Sequence, residues 1–553
     1  MLRPPMLRPL ALAVLLLPLA ASAQHAGHDM ATAGTDAGPA ASLILGRIDV
    51  RTSATGAAAR EIETGMLALH SFWYEEARDH FQAAQRSDPG AALALWGEAA
   101  THDHPLWGQH DSTAARTVFA RADSLRAAGA LHADAREAAF LDALGVLVRP
   151  GGSLAARRDR YAAALQRLAG QDPTDDEAAV FAALAAMSQQ SYDPDDPARV
   201  VPVAAALEDV AQKNPQHPGA QHILIHAYDA AAFAPLGLRA ARVYAGLAPA
   251  ASHALHMPSH IFRMLGLWPQ MEASNRAAWA ASVAWQERTH RRVAARDYHA
   301  LTWLHTALLR QGRFAEARAV VATAEADAAL AAARGEAPGP PAQTVHTLRA
   351  DALVEAEAAG LPARSEPVAV SPDSLSPAAA YAFAVEAVYA GQDAWLDAAL
   401  ARLTDVAETS VSGYAGDVRA SDVRAGVAEV QGWRRQRAGD LAGAEALARE
   451  SVRLTAAAHP LSPPTSSAHM LLADVLLARG DAAAAHALYA AAAAAAPSRA
   501  SMLLGLARAS AAVGDDAAAR DAYTCLLAVW ADADAGLPAA AEARAALGAG
   551  AAR

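Results

Sequence analysis

A glycine followed five residues later by an alanine, and four further on by an aromatic or aliphatic side chain, returns again and again in this 553-residue chain. GRFAEARAVVATAEA, GDAAAAHALYAAAAAAAP and GDDAAARDAYTCLLAVW all carry the spacing, and YEEARDHFQAAQRSDP keeps it without the glycine. Gly480, Ala485, Tyr489, Ala492 and Pro497 form one full instance, and Gly514, Ala519 and Tyr523 repeat its beginning 34 residues later. The first repeat also fits, with Gly65 twelve residues before Ala77 and then Phe81, Ala84 and Pro89. Self-similarity at such a period means stacked supersecondary units, each too small to bury its apolar face alone. The 53% hydrophobic fraction is rich in alanine and only 5% of residues are aromatic, which favours helices packed through small side chains over a bulky β core.

The pattern resembles the tetratricopeptide repeat, a pair of antiparallel helices in about 34 residues. The resemblance spans most of residues 55 to 535, with poorer matches at about 110 to 215 and 345 to 425. It implies an all-α, helical-hairpin solenoid whose first helices line a concave groove, with ligand contacts at repeat positions 2, 5, 9, 12 and 13. Such grooves commonly take a protein or peptide partner.

The first residues, MLRPPMLRPLALAVLLLPLAASAQ, combine Arg3 and Arg8, a short apolar run and Ala21-Ser22-Ala23, the anatomy of a cleaved secretory signal peptide. The organisation expected is therefore a signal peptide over 1–23, a flexible leader over 24–44, an amino-terminal array over 45–332, a linker-containing region over 333–377 and a carboxy-terminal array over 378–553. Small and turn-forming residues dominate the leader, where His25, His28 and Met30 offer a weak metal-catching pattern. The interruptions ARGEAPGPPAQ and GLPARSEPVAVSPDSLSP mark the linker region. No later stretch is long and charge-free enough to span a bilayer. A periplasmic or secreted bacterial protein is the expectation. Net charge is −12 with no basic run, which argues against a nucleic-acid partner, and the single cysteine, Cys525, excludes an internal disulfide and multi-thiolate metal sites.

Two short segments concentrate histidine: QHILIHAYD, with His222, His226 and Asp229, and SHALHMPSHIF, with His253, His256 and His260. Spacings of i, i+4, i+7 and of i, i+3, i+7 set each trio along one face of a helix. Counting from the repeat register, the resemblance implies positions 5, 9 and 12 for the first trio and 2, 5 and 9 for the second. All six then face the groove. Pro258 is expected either to kink the second segment or to start a new helix there. His70, His104, Trp96 and His299 fall at groove positions of other repeats and are candidate additional members. His102 and His110 are read as capping or solvating the loop around Pro105. Both histidine segments, with ALHSFWYEEA and HDHPLW, are also similar to those of a group of secreted bacterial tetratricopeptide proteins.

Imidazole nitrogen with carboxylate oxygen is the ligand set of zinc, copper(II), iron, nickel or manganese, while the scarcity of thiols disfavours copper(I) and iron–sulfur clusters. A His222, His226, Asp229 triad would leave positions open on the metal; all six ligands could instead close one site or hold two ions. None of H-E-x-x-H, G-x-S-x-G or a Walker loop is present, and Glu75–Glu76 and Asp195–Asp196 read as solvated charges. Three functions remain: an exported groove that binds a divalent transition metal, with or without a partner; a metal-free periplasmic protein-interaction scaffold; and a metal-dependent hydrolase or oxidase.

Overall fold

In the computed structural model, residues 44–550 are described apart from 338, 365–370, 410–413, 416–417, 460–465 and 497. The expected signal peptide, His25, His28, nearly all of the leader and Pro497 lie outside the described residues. The remainder is an all-α array of antiparallel helix pairs, a helical-hairpin solenoid. No helix among the described residues is long and apolar enough to cross a membrane.

The repeat signature becomes packing. Ala77, Phe81 and Ala84 are fully buried on the helix Tyr74–Ser87, and Ala485, Tyr489 and Ala492 are buried at the equivalent places of Ala482–Ala495. A Cβ on Gly505 would stand 2.2 Å from the Tyr489 ring, so only glycine lets these helices approach so closely. Gly480, at φ +87°, makes the left-handed turn between two helices and is followed by Asp481, which caps the next helix through the Ala484 N–H. Asp111, Asp134, Asp175, Asp297, Asp440 and Asp515 cap others in the same way.

The poorly matched regions are also helical. Between Ala92–Ala100 and Ser112–Ala127 a small antiparallel ribbon is inserted, Asp103–His104 paired with Gln109–His110, which the repeat pattern did not anticipate. The region 333–377 contains the long helix Pro340–Ala358. Ile44–Arg553 makes one compact unit. Residues of the two expected arrays share a core in which Leu301, Leu304 and Leu308 pack with Leu503, Tyr523 and Leu526, joined by Leu348 of the region between them. Trp530 Nε1 donates to the Arg310 carbonyl at 3.2 Å, and Trp268 Nε1 to the Ser498 carbonyl at 2.6 Å. At the other end the first hairpin meets the middle of the array, where Trp285 Nε1 donates to Glu76 at 3.0 Å. That contact gives Glu76 a partner, and Asp196 caps the helix Pro197–Lys213; neither acidic pair is merely solvated.

Candidate metal centre

His222 and His226 lie on the helix Pro218–Ala227. The next segment is broken as one of the two expectations had it: Ser252–His256 ends, Met257 keeps helical angles, and a second helix runs Pro258–Met264. Pro258 has no N–H to offer the preceding turn, so the chain restarts there. The break puts His253 beside the first helix and leaves His260 facing the helix Tyr298–Arg310, which carries His299.

The histidines therefore gather as two trios: His222, His226 and His253, and His256, His260 and His299. Within the first, His222 Nε2 is 3.1 Å from His253 Nε2 and 3.2 Å from His226 Nε2. Within the second, His256 Nε2 is 3.1 Å from His260 Nε2. Ring centroids across the two are 5.7 Å apart for His226 and His260 and 6.0 Å for His253 and His256. The trios are built alike. His256 and His260 follow His222 and His226 by one 34-residue repeat, and each trio is completed by position 2 of the repeat after, His253 or His299.

Asp229, expected among the ligands, joins neither trio. Its Oδ2 accepts from His260 Nδ1 at 2.6 Å, and its other oxygen is 3.5 Å from Arg263. The reason is the helix end: Ala227 is the last helical residue, so the chain at Asp229 has left the stripe on which His222 and His226 sit.

Neighbouring groups set the tautomers. His222 Nδ1 is 2.6 Å from the His70 carbonyl, His260 Nδ1 faces the Asp229 carboxylate, and both can only be donors. His256 Nδ1 is 2.7 Å from Asn275 Oδ1, whose amide nitrogen is committed to the Met271 carbonyl at 2.7 Å. In neutral rings all three Nε2 atoms then carry lone pairs into the shared space, the arrangement by which metal-ligating histidines are oriented. Burial pushes His222 down to about 3, against the hydrogen bond to His70. His226, His253 and His256 are held well below the ordinary value by burial and by neighbouring imidazoles, and His299 is lowered chiefly by burial. Neutral rings are what a metal ion requires.

Aromatic side chains brace both trios. Phe72, held at φ +51°, lies 4.4 Å from the His222 ring and stacks at 5.5 Å on His253. A non-glycine residue in that conformation is strained, and such strain clusters at functional sites. Trp303 stands 4.9 Å from His256 and 4.5 Å from His260. A cleft of about 1220 Å³ opens onto His226, His253, His260 and His299, while His222 and His256 lie fully buried behind them.

The other candidates go elsewhere. His70 donates through Nε2 to Glu177 at 2.7 Å, with His217 Nε2 3.4 Å from the other carboxylate oxygen. Burial would raise Glu177, but His70 and His217 outweigh it and hold the carboxyl far below its ordinary value. His217 Nδ1 already accepts the Ala220 N–H, so its other ring nitrogen, 3.4 Å from Glu177, and His70 Nε2 are both turned to the one carboxylate of this buried trio. It supports the centre through the His70 carbonyl. His104 stacks on Tyr74 at 3.7 Å and binds Gln109 and the Thr101 carbonyl, and Trp96 is buried between Phe140 and Phe181 instead of facing the groove. His110 pairs with Asp103 at 2.9 Å, and His102 is lowered by burial. No motif pointed to Asn275, Trp303 or Phe72; Asn275 sits on the Met271–Ala278 face of its helix, and that apolar company is the signal that marks it as buried.

No family model matches the chain, and no curated protein does. Among solved structures, a monomeric mutant of IFIT1 with Gppp-AAAA has a TM-score of 0.38 and 11% identity over 86% of this chain and 92% of its own. The human IFIT1 dimer with PPP-AAAA gives 0.38 and 10% over 86% and 91%.

Proposed function

We propose that the protein binds a divalent transition metal through its histidine cluster, with the cleft as the place where a small ligand or partner meets the ion. The observation that carries this reading is the approach of His256 Nε2 to His260 Nε2 at 3.1 Å while both Nδ1 atoms are spent as donors. Two facing lone pairs repel unless a positive charge lies between them. A proton can serve two nitrogens, but a third imidazole, His299, offers a ring nitrogen within 4.8 Å of both, and three imidazoles so grouped suit a metal ion. Two nitrogens 3.1 Å apart would subtend roughly 100° at an ion with ordinary metal–nitrogen bonds of about 2.0–2.1 Å.

In this reading the chain is exported, as its first residues suggest, and His222, His226, His253, His256, His260 and His299 are the ligands. Elemental analysis of untagged mature protein is the test. Stoichiometric metal in the parent and its absence from a His222→Ala/His256→Ala variant of unchanged helical content is the expected result. A metal-free parent that resists loading with zinc, copper, nickel, iron or manganese would refute it and favour the metal-free scaffold.

A further inference from the structure

Resting on that reading, we infer that the cluster is a coupled centre for two copper ions that binds dioxygen between them and oxidises 1,2-dihydroxybenzenes held in the cleft. Three observations carry it. First, the trio occurs twice, from the same repeat positions, so a donor set that suits one ion is present for a second. Second, the trios adjoin, with His226 and His260 rings 5.7 Å apart, and the same cleft touches both. A small bridging molecule can therefore reach both ions from one side.

Third, every donor in the two trios is an imidazole nitrogen, with no carboxylate among them. Asp229 is engaged by His260 Nδ1, and Asp297 by Ser252 Oγ at 2.6 Å and the Ala300 N–H at 2.9 Å. Two dications here would carry four positive charges with no carboxylate bound to them, in a half-buried site beside Arg263. Two cuprous ions halve that charge; the expectation against copper(I) rested on the scarcity of thiols, and a trio of imidazoles is a copper donor set that needs none. On oxidation a bridging dianion restores the balance, and the centre itself makes that dianion from dioxygen.

The electrons close. Each cuprous ion gives one electron to dioxygen, leaving two cupric ions bridged by peroxide. One dihydroxybenzene gives two electrons and two protons, departs as the quinone, and the O–O bond breaks to leave two hydroxides. A second dihydroxybenzene returns both ions to the cuprous state, and its two protons release the hydroxides as two waters. Aromatic walls suit such a substrate: Trp107, 37% exposed, stands edge-on to His253 at 5.4 Å, with Phe72 behind it.

The mature chain is loaded anaerobically with copper(I), freed of excess, and then exposed to air and catechol. Two coppers per chain, a dicupric form silent in electron paramagnetic resonance, and one dioxygen consumed per two quinones are expected. His299→Ala should fall to one copper, gain a cupric resonance and lose dioxygen uptake; the parent measurements decide the matter even if that variant fails to fold. One copper per chain, two uncoupled coppers, no uptake of dioxygen, or a centre that rejects copper for zinc each overturns this inference while metal binding stands. A parent that takes up no metal defeats both.

Discussion

Replacing Asp229 by alanine separates the two halves of the centre. The carboxylate accepts from His260 Nδ1 at 2.6 Å and is itself held by Arg263 at 3.5 Å, so it leaves His260 Nε2 turned toward His256 and adds to that nitrogen's basicity. It touches no member of the His222, His226, His253 trio. Loss of such an outer partner lowers metal affinity by about 10- to 100-fold, or about 1.4–2.8 kcal/mol. The expectation is thus one weakened site and one unchanged. Asp229→Asn should fall between, because an amide oxygen keeps the acceptor and loses the charge. Competition of the loaded protein against a chromophoric chelator resolves two affinities in one titration. Equal affinities in parent and Asp229→Ala, or an equal loss at both sites, would refute the assignment of Asp229 as a partner of one ligand only. Thermal unfolding of the metal-free variant controls for a general loss of structure.

Gly219→Ala places a Cβ 2.3 Å from His70 Nδ1, and the ring cannot retreat without leaving Glu177; a loss of about 1–3 kcal/mol in urea unfolding, with weakened metal binding through the His70 carbonyl, is expected. Gly505→Ala meets the Tyr489 ring and should destabilise by a similar about 1–3 kcal/mol in the same unfolding assay, without changing metal content. Burial raises Glu429 from 4.5 to about 7 despite the Tyr381 hydroxyl, so between those values folding takes up a proton and stability falls as pH rises. Glu429→Gln should accordingly match the parent near pH 4.5 and exceed it above pH 7, by about 3 kcal/mol at most, in denaturation curves taken at both ends.

Much of the molecule is legible from spacing alone, because a repeat helix packs against its chain neighbours and the period of its small and aromatic residues reports that contact directly. Ala77, Phe81 and Ala84, or Ala485, Tyr489 and Ala492, are buried where the pattern sets them. The stripes His222/His226 and His256/His260 follow from the 3.6-residue turn in the same way. The ribbon Asp103–His110 escaped notice because an insertion between helices leaves no periodic trace.

How the stripes are shared out is a different kind of information. Periodicity names the face of a helix; it does not say where that helix ends, how a proline restarts its neighbour, or what arrives from far along the chain. Ending the helix at Ala227 removed Asp229 from the first stripe, and the restart at Pro258 left His253 with one trio and His256 with the other. The His70 carbonyl, 152 residues from His222, chooses that ring's tautomer, and Asn275 chooses the tautomer of His256. Local sequence dictates backbone period because hydrogen bonding and side-chain packing along a helix are local. Lone pairs converge on a point only through contacts between residues distant in the chain, and those exist once the array has packed.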